Sequence, residues 1–180
     1  AQAAVNLRSD IPQVHFALSF VLIYQRKYDE AMAALERALQ LDSNYADAYI
    51  MQANVAAHSS PPKVELGLAA AERSMGLNPS YSVEYMAIKA TLYYVVENHE
   101  KALELMEEAV RRNPTYPYLL TLLVAVYSAL GQIEDAEWAA EELLMLQPDF
   151  SIEAWLATRP FMDQTVPDRL RQHLRAAGLN

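Results

Sequence analysis

The sequence predicts an all-α fold made of helix hairpins in tandem. Apolar residues recur at steps of three and four, as Leu120, Leu123, Val124 and Tyr127 do, which is the spacing of one helix face. The chain has only 4 glycines and no sustained alternation of β-branched residues, which argues against sheets. A third observation is decisive: the sequence repeats itself at intervals of 34 to 36 residues.

The repeat is visible in three columns that share one register. The residue that closes each second helix advances in steps of 34, 36, 35 and 34; it is Leu7, Leu41, Leu77, Arg112 and Leu146. The small residue that opens the second helix is Ala31, Gly67, Ala102 and Ala136, and the helix-stopping proline is Pro79, Pro114 and Pro148. Such a period is typical of stacked hairpins, because one hairpin cannot bury both of its apolar faces alone.

The stretch Tyr118–Pro148 and its period resemble tetratricopeptide (TPR) repeats. This resemblance implies a right-handed α-solenoid of TPR hairpins with a C-terminal capping segment. We expect one domain over residues 1–180, with the end of a truncated repeat at 1–11, repeats at 12–45, 46–81, 82–115 and 116–149, and a cap at 150–180. The repeat at 46–81 matches worst, since it has Gln52 where leucine is usual and extra residues around Pro61-Pro62.

The last 31 residues break the repeat and predict short helices at Ile152–Ala157 and Pro167–Ala177. Their sequence, from Phe150-Ser151 through the run Asp168–Leu179, resembles the ending of bacterial TPR regions in multidomain proteins. Many of those proteins carry an adenylate/guanylate cyclase or a winged-helix DNA-binding domain. The resemblance implies the C-terminal part of a larger bacterial signalling or regulatory protein in the cytoplasm. Ala1–Ser9, in phase with the end of a second helix and without an initiator Met, predicts further sequence upstream.

The formal net charge is −9, and Glu97–Glu153 carries all of it, with 12 carboxylates against 3 basic residues. An acidic surface repels phosphate backbones, so nucleic acid is not an expected partner. These carboxylates either form a solvated outer face or a dedicated acidic docking patch. The absence of cysteine fits a reducing compartment, and the longest apolar run, about 15 residues, is too short to predict a membrane span.

Residues able to carry chemistry are sparse. The histidines His15, His58, His99 and His173 are scattered, without a partner at metal-ligand spacing. The glycines stand alone, so no loop is expected to hold a phosphate. We therefore expect no catalytic residue, no metal and no cofactor.

The TPR resemblance implies that the first helices of the hairpins line a concave groove that binds a partner. Carried over by repeat phase, the peptide-binding candidates are Gln13, Phe16, Phe20, Asp47, Ile50, Asn54, Glu84, Ala87, Thr91, Tyr94, Tyr118, Thr121 and Ala125. Exposed Phe16, Phe20, Ile50 and Tyr118 would form an apolar floor for an extended or helical peptide; the alternative is that these side chains belong to the core. TPR groups that bind chaperone tails use Lys, Asn and Arg here, so we expect no such clamp.

Three functions remain open. The first is a protein-interaction module that regulates an attached or partner domain, with a protein or peptide as ligand. The second is a structural module that self-associates into a homo-oligomer. The third, a nucleotide or small-ligand sensor, is disfavoured because no phosphate site is predicted.

Overall fold

The computed structural model describes residues 9–159 and 161–180, and all regular secondary structure in them is helical. The chain packs as two compact units that divide after Tyr81. The helix end predicted at the N-terminus falls outside the described residues, apart from Ser9. Within the described residues, none of the helices has the length and apolar content needed to cross a membrane.

Unit 1 contains two helix hairpins. Its helices are α1 (Pro12–Tyr24), α2 (Tyr28–Leu41), α3 (Ala46–His58) and α4 (Val64–Leu77). Helix α1 packs on α2 and α3 on α4, and α2 also contacts α3. The poorly matching second repeat forms its hairpin because small buried residues, among them Ala53, Ala56 and Ala71, let the two helices approach closely.

Unit 2 contains two more hairpins and the C-terminal segment. Its helices are α5 (Val83–Val95), α6 (His99–Arg112), α7 (Pro117–Ala129), α8 (Ile133–Leu146), α9 (Ile152–Ala157) and α10 (Thr165–Ala176). Every residue from Leu119 to Val126 is buried, because α5, α6, α8 and α10 all contact α7. This explains why α7 is hydrophobic on every face.

The first residues of α10 differ from the prediction. The helix begins at Thr165, two residues before the predicted Pro167. The Asp163 carboxylate accepts hydrogen bonds from the backbone N–H of Thr165 at 2.9 Å and from its hydroxyl at 2.6 Å. Asp163 therefore satisfies the first backbone N–H of the helix, and Pro167 falls in the first turn, where a missing N–H costs nothing.

The predicted fold class, an α-solenoid of helix hairpins, is confirmed by this element order and by the solved structures described below. Gly131 lies in the turn between α7 and α8 with a φ of +74°, a conformation that glycine adopts without steric cost.

Candidate functional site

Three aromatic rings form a continuous strip on unit 1. The rings of Phe16 and Phe20 meet edge to face at 5.0 Å, and the ring of Phe16 lies 5.1 Å from that of Tyr45. Phe20 is 38% exposed, whereas Phe16 and Tyr45 are half-buried against the core. We call these three residues the aromatic strip. Rings that are partly exposed and held by neighbouring rings offer a partner apolar area at a low cost in side-chain entropy.

The first helices of the two hairpins in unit 1, α1 and α3, also carry polar candidate residues and a methionine. Gln13 and Asp47 are exposed, and Asn54 is half-buried. The Asn54 amide donates to the sulfur of Met51 at 3.6 Å, and Met51 packs on the same core as the aromatic strip. Asn54 therefore keeps acceptor capacity through its carbonyl oxygen.

Ile50 was expected to be exposed, and this expectation is wrong, since its exposed fraction is 4%. Helix α3 contacts both α2 and α4. More of its surface is therefore buried than if it contacted only one neighbouring helix. The apolar surface of unit 1 consequently includes Tyr45, which precedes α3, rather than Ile50.

In unit 2 the candidate side chains on α5 and α7 are mostly buried. The exposed fractions are 6% for Thr91, 3% for Tyr94 and 1% for Thr121, and Ala87 and Ala125 are fully buried. The Thr91 and Thr121 hydroxyls donate to backbone carbonyls one turn earlier, at 2.9 and 2.8 Å. Glu84 is exposed. The expectation that these threonines and Tyr94 face solvent is therefore wrong.

Tyr118 lies beneath the chain's own C-terminal segment. The guanidinium of Arg159 lies 4.3 Å from the centre of the Tyr118 ring and 5.0 Å from that of Trp155. Burial raises the pKa of the Tyr118 phenol, which also hydrogen-bonds Thr91 on α5. Tyr118 was expected to be exposed, but it is half-buried in a cation–π contact with Arg159.

Two residues of α10 that the repeat pattern does not include among the candidates contact one of them, Tyr94. His173 hydrogen-bonds the hydroxyl of Tyr94 through Nδ1 at 2.7 Å. The guanidinium of Arg169 lies 5.9 Å from the centre of the Tyr94 ring and donates to the carbonyl of the neighbouring Val95 at 3.0 Å. Helix α10 carries Arg169, Arg171 and Arg175 in an otherwise acidic unit, and that contrast is the sequence signal that could have suggested the contact.

Helix α8 carries a mixed acidic and apolar outer surface. Trp138 is 51% exposed and Met145 is 68% exposed, and a spacing of seven residues puts them on one helix face. Glu134 and Glu141 share this face and are exposed. The predicted solvated acidic face is therefore also an apolar patch.

Within the described residues, no group of three or more His, Asp or Glu side chains could hold a metal ion.

Repeated helix hairpins with partly exposed first helices define a class of protein-binding repeat arrays. Two tetratricopeptide-repeat family models match the sequence, one over residues 12–45 and one over residues 97–159. The matched segments are therefore tetratricopeptide repeats, as the resemblance predicted. The resemblance of the tail to cyclase and winged-helix regulator proteins stays a prediction. No curated protein sequence matches the chain.

Solved structures of TPR proteins share the fold. TTC0263, a thermophilic TPR protein of Thermus thermophilus, is 20% identical with a TM-score of 0.69, covering 91% of this chain and 99% of its own. YrrB, described as a TPR protein with an unusual peptide-binding site, is 16% identical with a TM-score of 0.65, covering 98% and 89%. MamA from Desulfovibrio magneticus RS-1 is 15% identical with a TM-score of 0.67, covering 92% and 94%. At such identities the likeness concerns the fold.

Proposed function

We propose that this chain is a protein-interaction module that binds a peptide or partner protein through the aromatic strip of unit 1. One observation carries the proposal: Phe20, Phe16 and Tyr45 form a continuous ring contact whose outermost member, Phe20, is 38% exposed. Core aromatic side chains are normally covered, whereas aromatic side chains at binding faces combine firm packing with an exposed edge.

The composition of this surface suggests its ligand. The aromatic strip offers apolar contact, and the amide of Asn54 and the exposed Gln13 and Asp47 offer hydrogen bonds beside it. An extended or helical segment with an apolar side chain at its centre and polar groups at its edges fits this combination. YrrB binds peptide on the same fold, as its description states, which supports the proposal by analogy.

The test is a selection of peptides from a random library against the full chain, followed by titration calorimetry of the best binder. The double variant Phe20→Ala, Asn54→Ala should weaken binding at least about tenfold, because both changes remove direct contacts. Leu66→Ala is the control, since Leu66 is 50% exposed on the second helix α4 and should bind normally. Equal affinities for all three proteins would disprove the assignment of the strip.

Self-association is the second candidate function, and the outer surface of α8 favours it. Exposed Trp138 and Met145 are large apolar side chains that a second copy could cover. Sedimentation velocity at rising concentration tests this. A dimer that Trp138→Ala and Met145→Ala together abolish would support self-association, and a monomer throughout would exclude it.

The resemblance of the C-terminal segment to bacterial multidomain proteins supports a proposal about the larger protein in which this module acts. The module would serve a larger bacterial regulatory protein in the cytoplasm, and its partner could then be another domain of the same chain. Pairing the chain with the adjoining segment in a binding assay would test this, and a lack of affinity would refute it.

A further inference from the structure

Four side chains meet where α10 lies against α5 and the start of α6. The Tyr94 hydroxyl and Nδ1 of His173 are 2.7 Å apart. The ring of Tyr94 lies 5.2 Å from that of His99 and 5.9 Å from that of His173, and the two imidazoles are 6.2 Å apart. The guanidinium of Arg169 lies 5.9 Å from the Tyr94 ring. We call these residues the histidine cluster.

The histidine cluster holds α10 on a surface that α5 and α7 form together, the α5–α7 face. From α10, Leu170 and Leu174 are almost fully buried, with exposed fractions of 1% and 0%, and α10 contacts α7. This contact buries Tyr94, one of the side chains that repeat phase assigns to a binding groove. The C-terminal helix therefore covers part of the surface that a partner would otherwise reach.

The charged groups around the two imidazoles are unevenly placed. Glu97 forms an ion pair with Arg169, and Glu97 and Glu100 are the carboxylates that act on His99. Both carboxylates are exposed, so solvent screens them. Helix α7 has no charged side chain. On the tail side, the Asp163 carboxylate accepts from the backbone N–H of Thr165, and Glu153 of α9 is bonded to Arg171 and Arg175.

The cluster is also incompletely hydrogen-bonded. Nδ1 of His99 and Nε of Arg169 are buried without a hydrogen-bond partner. An unpaired buried polar atom weakens a packed contact because water would have satisfied it. The contact of α10 with α5 and α6 is therefore less stable than a fully hydrogen-bonded contact would be.

We propose that α10 is an acid-released cover of the α5–α7 face, and that protonation of His99 and His173 detaches it. The neutral imidazoles fit beside Arg169, whereas their charged forms would place three cations together in a partly desolvated site. A protonated His173 can still donate to the Tyr94 oxygen, so the cost comes from the crowded positive charge rather than from the loss of that bond. The aromatic strip of unit 1 plays no part in this release.

The direction of the pH effect follows from linkage. Burial is the main cause that lowers the pKa of both histidines below the ordinary 6.5. At His99 the carboxylates of Glu97 and Glu100 oppose this shift, and Arg169 adds to it. At His173 the imidazole of His99 and then Arg169 add to it, and Glu97 opposes it. The attached state then binds fewer protons than the detached state below pH 6.5, so attachment weakens as the pH falls from 6.5 through the lowered values. Well above 6.5 the histidines are neutral in both states, so their protonation no longer affects the attachment.

Hydrogen exchange of the full chain measured by mass spectrometry tests the proposal. After correction for intrinsic exchange rates, peptides that cover α10 should exchange on the order of tenfold faster at about pH 5.5 than at about pH 7.5, while peptides from α2 do not. The double variant His99→Gln, His173→Gln keeps polar side chains that do not titrate and should lose this acceleration. The variant His15→Gln in unit 1 is the control and should keep it.

Two results would overturn the proposal. One is an α10 exchange rate that does not change with pH in the unaltered chain. The other is an acceleration that survives in the double variant. If the double variant does not fold, titration of the imidazoles in the unaltered chain, followed by nuclear magnetic resonance, tests the proposal instead. Titration of both histidines at or above pH 6.5 contradicts the proposal. Titration of both below pH 6.5, together with faster exchange of α10, supports it.

Discussion

The hydroxyl of Tyr94 on α5 and Nδ1 of His173 on α10 lie 2.7 Å apart, although 79 residues separate them in the sequence. Tyr94 is 3% exposed, and burial raises the pKa of its phenol. The hydroxyl therefore stays protonated at neutral pH and can donate to the imidazole. This bond joins the last helix of the chain to the third repeat.

Replacing Tyr94 by phenylalanine should destabilise unit 2 by about 0.5–1.5 kcal/mol, because Nδ1 of His173 loses its partner while the ring packing remains. Urea unfolding followed by circular dichroism measures the change. Tyr93→Phe is the matched control, since Tyr93 is the neighbouring tyrosine on α5 and is half-buried. An equal loss in both variants would mean that the bond to His173 contributes nothing of its own.

Two glycines should respond to alanine with opposite signs. Gly131 has a φ of +74°, and Gly76 lies in α4; neither has an atom within 4 Å of an added Cβ. Gly131→Ala should cost about 1 kcal/mol, since alanine is strained at this φ. Gly76→Ala should raise the free energy of unfolding by about 0.5–1 kcal/mol, since alanine restricts the unfolded chain and favours helix. Thermal unfolding of both variants checks this, and a shift of the same sign would contradict it.

Leucine truncation should separate core from surface within unit 1. Leu35 is fully buried, whereas Leu66 is 50% exposed. Leu35→Ala should cost about 2–5 kcal/mol through lost burial and a remaining cavity, while Leu66→Ala should change the free energy of unfolding by less than about 0.5 kcal/mol. Guanidinium unfolding of both proteins measures the difference. Similar costs at the two positions would refute the packing of unit 1.

Alkaline pH should weaken unit 1 through Tyr28. Burial raises the pKa of Tyr28 from 10.0 to about 12, and nearby Arg26 opposes this in part. Between these two values the unfolded chain releases a proton that the folded chain retains, so stability falls as the pH rises from 10 to about 12. Urea unfolding across this range should show the loss, and Tyr28→Phe should reduce it. Tyr24→Phe, at an 80% exposed position, should leave the loss unchanged.

Local pattern was sufficient for the helices. Of the two helices predicted for the C-terminal segment, Ile152–Ala157 begins and ends at the predicted residues, whereas the helix predicted at Pro167–Ala177 spans Thr165–Ala176. Helix ends are set by nearby residues such as Gly131, whose effect is visible in the sequence. The start of α10 was missed because the hydrogen bond from the Thr165 N–H to Asp163 is not visible in the sequence, whereas Pro167 is a strong local signal of a helix start.

Exposure was harder to predict than helical structure. Phe20 lies at the surface as expected, whereas Ile50 and Thr121 are buried. Repeat phase fixes which face of a first helix a residue occupies, but it does not say how many neighbours cover that face. Helix α7 shows the difference, because α10 covers it in addition to the neighbouring hairpins.

The sequence by itself determined the all-α class, the hairpin period and the small residues at which paired helices approach, because these depend on spacings within about 35 residues. Only the tertiary structure decided that α10 lies on the α5–α7 face, that His99 and His173 meet there, and that Arg159 covers Tyr118. Those contacts depend on the path of the C-terminal segment across the repeats, and residues brought together from far apart in the chain carry no common local pattern.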